Sequence, residues 1–297
     1  MTNHYNYMVA KCHIRIEGPW ANLSHVGLAS FEPFALADGS ATEPALTIIT
    51  GCDAESLLTE GKLLTSFDFE GSIAVCHFIA QQDGWCLKME REGNEPLIFV
   101  YNNSSDTARS NAGTSKERMH QHLFRFGMWF MCNIAMVKRG VTAIHSSVIV
   151  HNQQAILFLG ESGTGKSTHT RLWRENIEGA TLLNDDSPFV GFADGKPLVY
   201  GSPWSGKTHC YKNQQYPLRA IVRLSQAPHN KISRLKGVAA IGALLPSLPP
   251  AFAFDSRLKE LMFDILGKVL EQVEVYHLEC LPDADAAKVA HKALFEL

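Results

Sequence analysis

The sequence is short of several things, and each shortage excludes a class of protein. Charged residues are 19% of its 297 against a usual ~25%, and 27 Lys plus Arg face 30 Asp plus Glu, a net charge of −3. No basic excess is present to attract a polyanion, so nucleic acid is not an expected partner. No CxxC pair occurs among Cys12, Cys52, Cys76, Cys86, Cys132, Cys210 and Cys280. Their scatter and odd number predict reduced thiols and a cytoplasmic protein rather than disulfides or zinc. The first five residues carry neither a basic n-region nor an apolar h-region, so no secretory signal is expected there. Long apolar runs are missing too. Residues 126–137 are too few, and 238–254 contain Pro246, Pro249 and Pro250, where a membrane span needs ~20 helical residues. Both stretches are expected to be buried, with no membrane partner. No repeat or low-complexity tract is visible.

What is present is enough chain for about two domains at roughly 150 residues each. Residues 1–112 read as a β-rich N-terminal domain, with short runs at 9–16, 46–50, 72–80, 85–90 and 97–101 broken at Gly18-Pro19, Asp38-Gly39 and Asp83-Gly84. The polar stretch 102–115 reads as a linker. Residues 113–297 read as a linking helix followed by an α/β domain. In the helix, which Ser115 opens, Leu123, Phe124, Met128, Phe130, Met131, Ile134 and Val137 recur at helical spacing before Gly140. Strands at 144–150 and 155–159, a helix from Lys166, and strands at 181–183 and 219–224 then alternate as an α/β domain does.

The strongest chemical signal is Gly160-Glu161-Ser162-Gly163-Thr164-Gly165-Lys166-Ser167-Thr168, which fits the phosphate-loop pattern GxxxxGK[ST]. The glycines Gly160, Gly163 and Gly165 let backbone N–H groups of the loop, Ser162 and Thr164 included, turn toward phosphate oxygens. The helix that follows adds its positive end. Lys166 would reach the β- and γ-phosphates, and Ser167 would offer its hydroxyl to Mg²⁺. The same expression also matches Gly201-Ser202-Pro203-Trp204-Ser205-Gly206-Lys207-Thr208. That stretch holds a proline and precedes a poor amphipathic pattern, so it is expected to be a loop. Trp204 and Lys207 would either line the acceptor side of the site or form a surface turn. The strand at 181–183 ends in Asn184-Asp185-Asp186, and one helix plus one strand should bring these carboxylates back beside the phosphate loop. Phosphoryl transfer uses one acid for Mg²⁺ and one for the acceptor hydroxyl, while an Asx turn before Pro188 is the bland alternative. His145 either packs at a strand edge or hydrogen-bonds a carboxylate or phosphate.

In their order, His145-Ser146-Ser147, the glycine loop and Leu183-Asn184-Asp185-Asp186 resemble the catalytic domain of HPr kinase/phosphorylase and, more distantly, ATP-dependent phosphoenolpyruvate carboxykinase. The stretch 143–190 carries the resemblance, with a tail at 275–283 like the closing strand and helix of such proteins. The Arg-Gly-Leu-Gly stretch of that family is absent. The resemblance implies an α/β P-loop domain with a mixed sheet, preceded here by the β-rich domain, and transfer of phosphate from ATP to a serine hydroxyl with Mg²⁺. His145, Asp185, Asp186 and Lys166 are the implied catalytic residues, with Asp185 as base and Asp186 beside Ser167 on the metal. The acceptor would be a protein, a peptide or a small molecule, and self-association is open. A nucleotide-binding regulator without catalysis and a carboxykinase-like enzyme are the alternatives.

Overall fold

The structure is a computed structural model that describes residues 4–37, 43–57, 60–113, 117–206 and 208–296. Asp38-Gly39, Ser115 and Lys207 lie outside the described residues. The chain divides into two compact units, Met1–Arg139 with Ala251–Lys259, and Gly140–Pro250 with Glu260–Leu297.

The first unit is built on strands β1 His4–Val9, β2 Cys12–Glu17, β3 Leu46–Ile49, β4 Lys62–Phe69, β5 Ala74–Gln81, β6 Gly84–Glu90, β7 Leu97–Asn102 and β8 Thr107–Ser110, with a single helical turn, α1 Ala54–Leu57, after β3. They form one mixed sheet in the order β1-β2-β3-β8-β7-β6-β5-β4, parallel at β2/β3 and β3/β8. The run expected at 9–16 is a hairpin instead. Ala10 and Lys11 take φ of 48° and 62°, a left-handed turn without the usual Gly or Asn. The linker expected at 102–115 contains β8, whose Ala108 and Ser110 are fully buried by alternation. Helix α2, Arg118–Val137, packs on this sheet. Phe124 and Phe130 lie 5.6 Å and 4.9 Å, ring to ring, from Phe99 and Phe78. Gly127 permits that approach, since a Cβ there would stand 2.2 Å from the Phe99 ring.

The second unit holds β9 Thr142–Ala143, β10 Ser146–His151, β11 Gln154–Leu159, α3 Lys166–Asn176, β12 Thr181–Asp186, β13 Phe189–Ala193, β14 Lys196–Tyr200, β15 Gln215–Gln226, β16 Lys231–Leu235, α4 Val238–Leu244, β17 Glu274–Cys280 and α6 Ala284–Phe295, and α5 Ser256–Leu270 belongs to it from Glu260 onward. The sheet order is β12-β10-β11-β15-β14-β13-β9, with β17 beside β15 and β16 beside β17. β11, β15 and β17 are mutually parallel, and β10 runs antiparallel to both β11 and β12. Phe158, Val222, Leu224 and Leu278 of the sheet and Leu172, Trp173, Ala287 and Ala290 of the helices make one core. The stretch 238–254 is not buried throughout. Ala240, Ala243 and Leu244 of α4 are buried, while Val238 and Ile241 on its other side and Leu245 just after it are exposed, as a short amphipathic helix requires. No helix among the described residues is long and apolar enough to cross a membrane.

Candidate active site

β11 delivers the loop from inside the core. Ala155 through Leu159 are all fully buried, and Gly160 follows at the carboxyl end of the strand. The turn closes through Thr164, whose N–H and hydroxyl donate to Glu161 O at 3.2 and 2.8 Å. Gly163 and Gly165 have φ of +83° and +110°, and a Cβ on either would meet nothing within 4 Å. Both need glycine for backbone reasons and both face open space. Gly165 is also the N-cap of α3 and supplies no side-chain cap, so the helix begins with N–H groups that no side chain satisfies. Lys166 folds back on the loop, donating to Gly160 O at 2.7 Å and Glu161 O at 3.3 Å. Burial pushes its ammonium below the usual lysine range, Asp186 and Asp185 oppose that fall, and Arg223 adds to it.

The aspartates come back to the loop as expected, but not on the adjacent strand. β10 lies between β11 and β12, pairing Ser147 with Asp185 and Ser146 with Asp186. Strand alternation separates the two carboxylates. Asp185 is buried and accepts from Ser147 Oγ at 2.6 Å, from Ser167 Oγ at 3.2 Å on each oxygen, and from the Thr208 N–H at 3.3 Å. Asp186 is half-exposed, with Oδ1 3.6 Å from His145 Nδ1. Burial lowers the pKa of His145, Lys166 lowers it further and Asp186 opposes.

The second glycine match does not lead into a helix. It follows β14 and passes through irregular chain into β15. Its role is to brace the aspartates. Buried Asn184 donates to Ser202 O, Ser202 Oγ and Trp204 O at 3.3, 3.2 and 3.0 Å. Its own oxygen accepts from the N–H groups of Asp186 and Ser187 at 3.0 and 2.9 Å. Trp204 is buried, its ring 5.9 Å from that of Phe189, and is not part of an exposed turn. Reading the sequence missed Asn184, Ser147, Thr208 and Arg223. Asn184 and Ser147 lie inside quoted motifs and Thr208 closes the second glycine match, so their positions were marked although their contacts were not; nothing near Arg223 in the chain marks it.

A cavity of about 550 Å³ opens beside the loop. Thr168 and Leu172 of α3 form one wall, and Leu224, Gln226, Leu281 and Pro282 form the other. Together with the uncapped helix end it makes one apolar and one anion-seeking compartment side by side. No cluster of three or more His, Cys, Asp or Glu suited to a metal exists among the described residues.

No protein-family profile matches the chain, and no curated protein matches it. Among solved structures the chain has a weak similarity to the HPr(Ser) kinase/phosphatase from Coxiella burnetii, with 9% identity and a TM-score of 0.32 over 52% of this chain and 97% of that one. What the site can do follows from its own geometry. An anion at the α3 N-terminus would lie next to Lys166, next to the Ser167 hydroxyl with its buried carboxylate, and near the His145–Asp186 pair.

Proposed function

We propose that this chain is an ATP- and Mg²⁺-dependent phosphotransferase that phosphorylates a hydroxyl, with serine the first choice. One observation carries the reading. The uncapped N-terminus of α3 begins with Lys166 and Ser167, and the Ser167 hydroxyl sits on the buried carboxylate of Asp185. In this reading the phosphates lie in the loop, held by its N–H groups and by Lys166, which trades loop carbonyls for phosphate oxygens. The nucleoside occupies the cavity beside Thr168 and Leu172.

The donor set suits a hard cation. The buried Asp185 carboxylate accepts from two serine hydroxyls and a backbone N–H, with the Ser167 hydroxyl within reach of both its oxygens, which is an oxygen-donor arrangement of the kind such a cation takes. Ser167 and Asp185 would hold Mg²⁺ together with phosphate oxygens and water, and the ion would neutralise charge on the phosphate chain. The roles implied by resemblance are thereby exchanged, since Asp186 is the carboxylate left accessible to an acceptor. Asp186 takes the proton of the acceptor hydroxyl as its oxygen bonds to the terminal phosphorus and the bond to the bridging oxygen breaks. His145 beside it can share that proton. A cytoplasmic setting belongs to the same proposal, supported by seven unpaired cysteines.

The test is incubation of the full chain with γ-labelled ATP, Mg²⁺ and extract of the source organism. Label on a protein band or a small molecule supports the reading and identifies the acceptor class. Tight ATP binding with label left on ATP would favour a regulator instead, and absence of ATP binding in calorimetry would remove the nucleotide reading altogether.

A further inference from the structure

β15 runs parallel to β11 with Arg223 in register with Leu159. Arg223 therefore stands at the carboxyl end of the neighbouring strand, level with the residue that enters the glycine loop. Open α/β sheets place ligands beyond those strand ends. Its neighbours Val222 and Leu224 pack into the core with Leu172 and Trp173 of α3. Alternation turns Arg223 to the opposite face, away from the cavity that Leu224 and Leu172 line.

On that face the guanidinium meets the loop. Its Nη2 is 3.6 Å from Glu161 Oε1, and Nη1 donates to Ala243 O at 3.2 Å. Lys166 reaches the main-chain oxygen of the same residue, Glu161, at 3.3 Å. Two cations thus converge on one loop residue, one at its side chain and one at its backbone. The Glu161 carboxylate is a poor reason for holding an arginine there, because its side chain is 82% exposed and exposed ion pairs contribute little. Among the described residues, one of the five guanidinium donors is in a hydrogen bond. The nearness of Arg223 also works against the charge on Lys166, a repulsion that a bound anion would relieve.

Resting on the nucleotide reading above, we propose that Arg223 binds the terminal phosphate, exchanging Glu161 for phosphate oxygens, and so distinguishes a nucleoside triphosphate from a diphosphate. The planar fork of arginine suits two oxygens of one phosphate. Its position on the face away from the cavity directs it to the far end of the phosphate chain and not to the nucleoside.

Calorimetric titration of the full chain with ATP, ADP and inorganic tripolyphosphate, each with Mg²⁺, tests this. Arg223→Met keeps the aliphatic stem and should weaken ATP and tripolyphosphate binding about 10- to 100-fold, leaving ADP within about twofold. Arg223→Lys keeps the charge without the fork and should lower the ratio of ATP to ADP affinity several-fold, a result that stands even if the methionine variant does not fold. Glu161→Gln should tighten ATP binding a few-fold by removing a competing anion. Equal losses for ATP and ADP, unchanged ATP binding, or weaker ATP binding in Glu161→Gln would each overturn the assignment while leaving the proposed function intact. A wild-type chain that binds neither nucleotide overturns both.

Discussion

Gly163 and Gly165 in the first glycine loop take left-handed φ, with open space where a Cβ would stand; Gly201 and Gly206 in the second take ordinary φ, and a Cβ there would lie 2.0 Å from Lys212 O and 2.8 Å from Asp185 O. One expression, GxxxxGK[ST], fits both stretches. In the first, glycine is required by backbone conformation and leaves open space beside it. In the second it is required because other chain passes close by. The first loop is shaped to receive something, and the second is already filled by the protein. A sequence pattern records residue types and not which of these two reasons selected them.

The sharpest way to break the comparison is through the carboxylates that stand between the two loops. Asp186→Asn should lower single-turnover transfer by ~10²–10⁴-fold with ATP affinity nearly unchanged. Asp185→Asn should instead raise the Mg²⁺ concentration needed for half-maximal ATP binding. The opposite pattern would restore the roles implied by resemblance, and wild-type rates in both would end the catalytic reading of the pair.

Next in size is the effect of the two lysines on ATP binding. Lys166→Ala should weaken it by ~10²-fold, two charge-assisted contacts' worth, whereas Lys207→Ala should leave it within a few-fold. Calorimetry showing the reverse would mean that the second loop is the nucleotide site.

Acid should distinguish the loops through stability, because only the first rests on a helix with a buried, neutral histidine. His169 is buried in the second turn of α3, accepts from Trp173 Nε1 at 3.1 Å, and has its pKa lowered by burial to about 4. Its folded value lies below its unfolded value near 6.5, so its penalty is absent above pH 6.5 and grows as pH falls toward 4, reaching about 3 kcal/mol. Thermal unfolding between pH 7 and 4 should show a shallower fall in His169→Gln than in wild type. Parallel curves would contradict this account.

The smallest expected effect is steric. Gly201→Ala should cost about 1–3 kcal/mol of stability by overpacking. Gly163→Ala should cost about 1–2 kcal/mol from left-handed strain and should also weaken ATP binding. Denaturant midpoints paired with calorimetry separate the two, and a Gly201→Ala chain as stable as wild type would remove the packing explanation.

Much of the local order around the first loop could be read directly from the chain. Ala155 through Leu159 are apolar at every position because both faces of that strand are covered, and the glycines precede a helical segment, so strand, turn and helix follow from neighbours in sequence. The hairpin at Ala10-Lys11 was not legible, since both residues take positive φ without glycine. Strand β4 was missed because polar and apolar residues are mixed along it and Phe69 alone of them is buried, which blunts the hydrophobic pattern.

The sequence by itself determined which chemistry is available: a glycine turn ahead of a lysine and a serine, two adjacent carboxylates, and a histidine in the strand before. Those signals are short-range and survive in the order of residues. Only the tertiary structure decided which carboxylate meets Ser167 and which meets His145, because that depends on β10 inserting between β11 and β12 and on the register Ser147↔Asp185. The same holds for Arg223, which is 62 residues from Glu161 in sequence and reaches it through the parallel pairing of β11 with β15. Strand pairing between distant segments is set by the packing of the whole sheet, so no local pattern announces it.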